Sequence, residues 1–105
     1  MLNAVIMTDE EFDDIIGSKD ICVVDFSASW CGPCRMMAPV LEDVSAKYKG
    51  KYMFYQIDID SAEELANKFN VTAVPTIIVF KKGKEVDRTS GYQEFEEFER
   101  FCGYF

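Results

Sequence analysis

The chain contains no histidine. That removes cysteine–histidine proteases and serine–histidine–aspartate hydrolases, which depend on an imidazole to move the proton. It is also short of positive charge. Eleven Lys and Arg face nineteen Asp and Glu, for a formal net charge of −8. No basic cluster interrupts that balance, so nucleic acid and anionic membrane surfaces are not expected partners. No apolar stretch approaches the length of a membrane span. Met1 to Phe12 shows neither a basic segment nor a long apolar core, so no secretory signal is expected there and a cytoplasmic protein is. No repeat, low-complexity tract or linker breaks the chain.

What is present fits one domain over residues 1–105 with a single core, at 49% hydrophobic residues. Four cysteines raise the possibility of a secreted disulfide framework. The missing signal argues against it, and the arrangement of two of them points elsewhere. Trp30-Cys31-Gly32-Pro33-Cys34 follows an apolar run, Ile21 to Phe26, and precedes a helical pattern. That places Cys31 at a helix N-terminus, where unpaired N–H groups and the helix dipole favour a thiolate. The thiolate is the reactive form of cysteine, so the pair is suited to thiol–disulfide exchange. Zinc is the competing use of a CxxC pair. It needs about four ligands, and neither a second CxxC nor a histidine exists to complete the set.

Local signals order the remaining elements. Thr8-Asp9-Glu10-Glu11 is a capping box, with a short helix to about Ile16 ended by Gly17. Ile21 to Ala28 is a strand expected to be buried on both faces. A second helix runs from about Cys34 to Tyr48, with Pro39 inside it and Gly50 closing it. Tyr52 to Ile59 is a strand, and Ser61 to Glu64 repeats the capping box before a helix to Phe69. Thr76 to Phe80 and Glu85 to Ser90 form a hairpin across Lys82-Gly83. A last helix over about Gln93 to Cys102 carries Phe95, Phe98, Phe101 and Cys102 on one face. A parallel βαβ unit followed by a hairpin gives an α/β mixed central sheet flanked by helices on both faces.

With these residues in view, the chain resembles the thioredoxin family over nearly its whole length. The resemblance rests on Val24-Asp25-Phe26, Trp30 to Cys34, Pro39, Asp58-Ile59-Asp60, Val74-Pro75-Thr76, Lys82-Gly83 and Gly91. It implies a thioredoxin fold and protein-disulfide reductase activity. It implies no bound cofactor or metal beyond a redox-active Cys31–Cys34 disulfide. Electrons would come from NADPH through a separate flavoprotein, thioredoxin reductase, and pass to disulfide-containing clients such as peroxiredoxins or reductases. A monomer is expected.

Carried over position by position, the resemblance makes Cys31 the attacking nucleophile, more exposed than Cys34, and Cys34 the resolving thiol one helical turn on. Gly32 and Pro33 tune the couple, Pro33 fitting the first helical turn at no cost in hydrogen bonds. Asp25, a carboxylate within a buried strand, has a raised pKa and acts as proton acceptor and donor. The strand's alternation also allows it to face solvent. Many relatives carry a charged residue beside this acid, whereas the matching position here is Gln56. Ser27 stands where some relatives have tryptophan, giving less apolar bulk. A cis Val74-Pro75 peptide is expected, with Trp30, Gly32, Pro33, Val74, Pro75, Gly91 and Tyr92 forming a flat docking patch. Tyr104 and Phe105 lie beyond the last helix and are expected to be exposed. Cys22 and Cys102 are expected to be small core residues. The alternative to an enzyme is a non-catalytic thioredoxin-fold binding module, against which the intact WCGPC and Asp25 argue.

Overall fold

Apolar side chains that alternate along Ile21–Ser27 bury this strand on both faces, and the rest of the chain is arranged around it. The computed structural model describes residues 4–5, 8–17 and 20–103. Among them the elements run β1 (Ala4–Val5), α1 (Asp9–Gly17), β2 (Ile21–Ser27), α2 (Gly32–Lys47), β3 (Met53–Asp58), α3 (Glu63–Lys68), β4 (Thr76–Lys81), β5 (Lys84–Ser90) and α4 (Phe95–Gly103). The strands form one sheet in the order β1-β3-β2-β4-β5. β3 is parallel to both β1 and β2, while β4 is antiparallel to β2 and β5. The expected βαβ unit and hairpin are both present. β1 was not anticipated, since two residues are too few to show a period.

The period-two alternation of β2 divides the core into two layers. Cys22, Val24 and Phe26 pack with Phe12 and Ile16 of α1, Leu65 of α3 and Phe80 of β4. Phe12, Phe69 and Phe80 meet there in pairs with ring centroids 5.1–5.3 Å apart. Val23 faces the other layer, with Met37, Leu41 and Val44 of α2 and Phe98 and Cys102 of α4. Phe95 and Phe101 are partly buried against that cluster, so the apolar face expected on the last helix is present. β5 is an edge strand and mostly exposed. Its turn from β4 carries positive φ at both Lys82 and Gly83, the handedness that suits the twist of a tight hairpin.

Caps explain where the helices begin. The Thr8 hydroxyl accepts the Glu11 N–H at 3.1 Å, the N-cap half of the box, and donates to the Glu11 carboxylate. The second box, Ser61 to Glu64, is not formed. Ala62 is the N-cap of α3 and makes no side-chain cap bond. Asp58 accounts for the difference. Its carboxylate accepts the Asp60 N–H at 2.9 Å, and its carbonyl accepts from Ser61 and Ala62. That turn carries the chain past Ser61 before the helix starts. α2 continues through Pro39. Tyr104 and Phe105 lie outside the described residues.

Phe98 is fully buried between α4 and the sheet. Phe98→Ala should lower unfolding stability by about 3–5 kcal/mol, measured by urea denaturation with an unchanged m-value.

Candidate active site

β2 delivers the chain to the site and α2 holds it there. Beyond Ser27, residues Ala28 to Trp30 form a short connection. Cys31 then takes an extended conformation, φ −90° and ψ 118°, as the N-cap of α2. Its sulfur accepts the backbone N–H of Cys34 at 3.1 Å. The thiol side chain thus occupies the place that serine or aspartate takes at most helix starts. This is why α2 begins at Gly32 and not at Cys34. Pro33 sits in the first turn, where no N–H is needed.

Cys31 and Cys34 are joined in a disulfide with Cα atoms 5.2 Å apart. The Cys31 sulfur lies at the positive end of a sixteen-residue helix, with the Cys34 amide N–H aimed at it. Both features favour the thiolate. The expected difference in exposure between the cysteines is corrected by the structure. Cys31 is 5% exposed and Cys34 7%. Ala28, Ile59 and Val74 pack around the pair and cover both. The Val74 carbonyl oxygen lies 3.6 Å from the Cys31 sulfur.

On the Cys31 side is a groove of ≈ 410 Å³ that brings together Trp30, Cys31, Gly32, Pro33 and Val74. Ile59 and the Val71–Ala73 segment complete it, and none of these was expected among the site residues. Trp30 is 64% exposed and is steadied by Asp60, whose carboxylate accepts the indole N–H at 2.8 Å. Asp60 was quoted in the Asp58-Ile59-Asp60 run but was given no place in the site. The Val74-Pro75 peptide is cis. The groove holds only a part of the residues expected in the flat patch. Pro75 is buried, with its carbonyl accepting the Gly91 N–H at 2.9 Å. Gly91 and the exposed Tyr92 stand outside the groove lining.

Asp25 is 2% exposed, which excludes the solvent-facing alternative. It pairs in register with Gln56 on β3 and Ile77 on β4. The Gln56 carboxamide donates to Asp25 Oδ2 at 3.3 Å and to Ser27 Oγ at 3.2 Å. Asp25 Oδ1 is buried with no hydrogen-bond partner. Burial pushes the carboxyl up to about 7, and the Gln56 bond offsets a part of that rise. A second cleft, of ≈ 340 Å³, has Cys34 and Arg35 on one wall and Ser27, Gln56 and Asp58 on the other.

Cys22 and Cys102 are core thiols, 1% and 0% exposed, and burial pushes Cys102 up to about 12. Among the described residues, no group of three or more His, Cys, Asp or Glu is placed to hold a metal ion. No helix among them is long and apolar enough to cross a membrane.

Comparison with known proteins meets this geometry. The thioredoxin family model matches residues 3–103. The chain belongs to the thioredoxin family. It is 48% identical over 90 residues to thioredoxin of Staphylococcus saprophyticus, covering 86% of each chain. Staphylococcus aureus thioredoxin matches at 46% over the same shares. Among solved structures, Plasmodium falciparum thioredoxin superposes with a TM-score of 0.91 at 34% identity, covering 98% of this chain and 99% of that one. Fasciola hepatica thioredoxin gives 0.88 at 38%, covering 98% and 100%. Family membership and the Cys31–Cys34 pair make the protein a thiol–disulfide oxidoreductase that reduces protein disulfides. Its family implies a thioredoxin reductase and disulfide-containing clients as partners.

The buried Asp25 makes stability depend on pH with a definite sign. An unfolded aspartate releases its proton near pH 4, whereas the native one keeps it to about 7. Between those values the native state binds the extra proton, so stability falls as pH rises and levels off above about 7. The loss amounts to at most about 4 kcal/mol. Asp25→Asn should remove this slope and leave the oxidised protein more stable than the parent at pH 8. Urea unfolding at pH 5 and pH 8 checks it, and equal slopes in both proteins would refute it.

Proposed function

We propose that reduction runs through a mixed disulfide in which Cys31 attacks, Cys34 resolves and Asp25 carries the proton. The observation behind this assignment is the Cys34 N–H directed at the Cys31 sulfur at the start of α2. That bond and the helix dipole lower the cost of a negative charge on Cys31 alone of the two thiols. The Cys31 thiolate attacks one sulfur of the client disulfide, a new S–S bond forms and the other client sulfur leaves as thiolate. Cys34 then loses its proton to the Asp25 carboxylate and attacks the Cys31 sulfur. The bond from Cys31 to the client breaks, the second client thiolate leaves and the Cys31–Cys34 disulfide closes. Two electrons have passed from the dithiol to the client.

Gly32 and Pro33 set the geometry in which that ring closes. Their place in the first turn lets α2 start without a hydrogen-bonding loss, and Pro33 limits the freedom of the reduced loop. The groove beside Trp30 suits an extended client segment, with the Val74 backbone available to pair with it. Since Cys31 is covered by Val74 and Ile59, the segment must be thin or unfolded to bring its disulfide within reach. Pro75, Gly91 and Tyr92 are assigned to the same client-docking surface, outside the groove lining itself.

Recycling belongs to a flavoprotein thioredoxin reductase that draws on NADPH, both held by the partner enzyme. Disulfides of peroxiredoxins and reductases are the clients of choice for such a couple, and the cytoplasm is the compartment where thiols outside the site remain reduced. Two buried thiols, Cys22 and Cys102, fit that setting.

Cys34→Ser should trap clients as covalent complexes on Cys31 that reductant releases, visible on non-reducing gels. Its turnover with a protein disulfide should fall by at least roughly 100-fold. Cys31→Ser should trap nothing. Trapping by neither variant, with the disulfide couple intact in the parent, would return the molecule to the binding-module class.

A further inference from the structure

The side chain of Gln56 does something the assigned roles leave unexplained. One carboxamide nitrogen bridges Asp25 Oδ2 and Ser27 Oγ, at 3.3 and 3.2 Å. Gln56 and Ser27 then form the wall of the ≈ 340 Å³ cleft that faces Cys34. Asp25 itself lies behind that wall, and its Oδ1 has no hydrogen-bond partner. A buried carboxyl with one oxygen tied and the other orphaned is an uncommon arrangement, because an unsatisfied buried polar atom costs free energy.

We propose that Gln56, anchored by Ser27, is a positioning residue for the second exchange step: it fixes Asp25 through Oδ2 and leaves Oδ1 as the oxygen that takes the Cys34 proton. The proposal rests on Asp25 acting as the proton acceptor. The Cys34 S–H bond breaks and its proton goes to Oδ1, directly or through a water in the cleft. The sulfur left behind forms the bond to Cys31 while the Cys31–client bond breaks, and the electron pair leaves on the client thiolate. The acid later returns its proton to solvent through the cleft.

The chemistry suits an amide. A carboxamide N–H favours the ionised carboxylate without adding a charge of its own. A lysine in that place would hold the carboxylate ionised and weaken it as a base, while a glutamate would oppose its ionisation. The charged and titratable groups around the cleft are few. Cys34 and Arg35 come from α2 and Asp58 from β3, and β4 presents only Ile77 in register with Asp25. Arg35 is engaged by the Ser29 carbonyl, 2.9 Å from its guanidinium.

The two exchange steps can be observed separately by mixing the reduced protein with excess aromatic disulfide in a stopped-flow instrument. One aromatic thiolate leaves when Cys31 attacks and a second leaves when Cys34 resolves. Burial keeps Cys22 and Cys102 out of both phases. Gln56→Leu should raise the Asp25 titration midpoint, followed by carboxyl carbon NMR, by about one unit, the worth of one hydrogen bond to a charged group. The carboxylate fraction at pH 7 then drops, so the second phase should slow about fivefold there and rejoin the parent rate above about pH 9. Ser27→Ala should shift both readouts in the same direction by less. An unmoved midpoint, or a second phase slowed equally at every pH, overturns the proposal, because a packing defect has no reason to track the carboxylate. Asp25→Asn run beside them separates the two levels. If it leaves the second phase unchanged, Asp25 is not the acceptor and the role of Gln56 falls with it. If it slows that phase while Gln56→Leu does not, only Gln56 is excluded.

Discussion

Burial of β2 on both faces is the constraint from which the site follows. A strand flanked by β3 and β4 and covered by helices above and below has no freedom to shift, because a slip of one residue would exchange its two core layers. Its fixed end aims the Ala28–Trp30 connection, and that connection sets where α2 begins. The same strand sets Asp25 in the layer beneath α2, opposite Gln56. Cys31 and Asp25 are therefore positioned by one rigid element and not by two independently folded loops.

The two ionisable groups of the site are driven in opposite directions by their surroundings. Cys31 meets the positive end of a helix and an amide N–H, which favour its charged form. Asp25 meets apolar packing and a single carboxamide, and its neutral form is favoured. Both effects act at close range in a region of low dielectric, where they are stronger than in water. The outcome is a sulfur whose thiolate form is favoured, in the same site as a carboxyl poised near neutrality. The free energy that such an acid costs the folded protein is the counterpart of the proton-transfer role proposed for it.

Much of this was legible in the chain. The WCGPC motif, the βαβ order and the final hairpin each have a strong local signal, and all three are found where the sequence put them. The phenylalanine spacing of α4 marked its buried face correctly. What escaped was set by tertiary contacts. The second capping box matched its pattern, but Asp58 claimed the neighbouring N–H groups and displaced Ser61 from the cap. The order of exposure of Cys31 and Cys34 depends on Ile59 and Val74, which arrive from other loops. Pro75 was placed at the surface on the strength of its neighbours and is buried. β1 has only two residues and gains its identity from pairing with β3. The bridge from Gln56 to Asp25 and Ser27 needs strand register, which no single segment reveals.

Trp30 is the only tryptophan in the chain, and it is attached to the disulfide by a peptide bond and held to Asp60 by its indole N–H. Every photon of indole emission from this protein therefore originates at the reacting centre. The five tyrosines are elsewhere in the sequence, and none lies between Ser27 and Cys34. A disulfide is an efficient quencher of a nearby excited ring, and a thiol pair is a weaker one. The molecule thus carries an optical gauge of its own electron content, calibrated by anchoring that keeps the ring from wandering and readable without label or substrate.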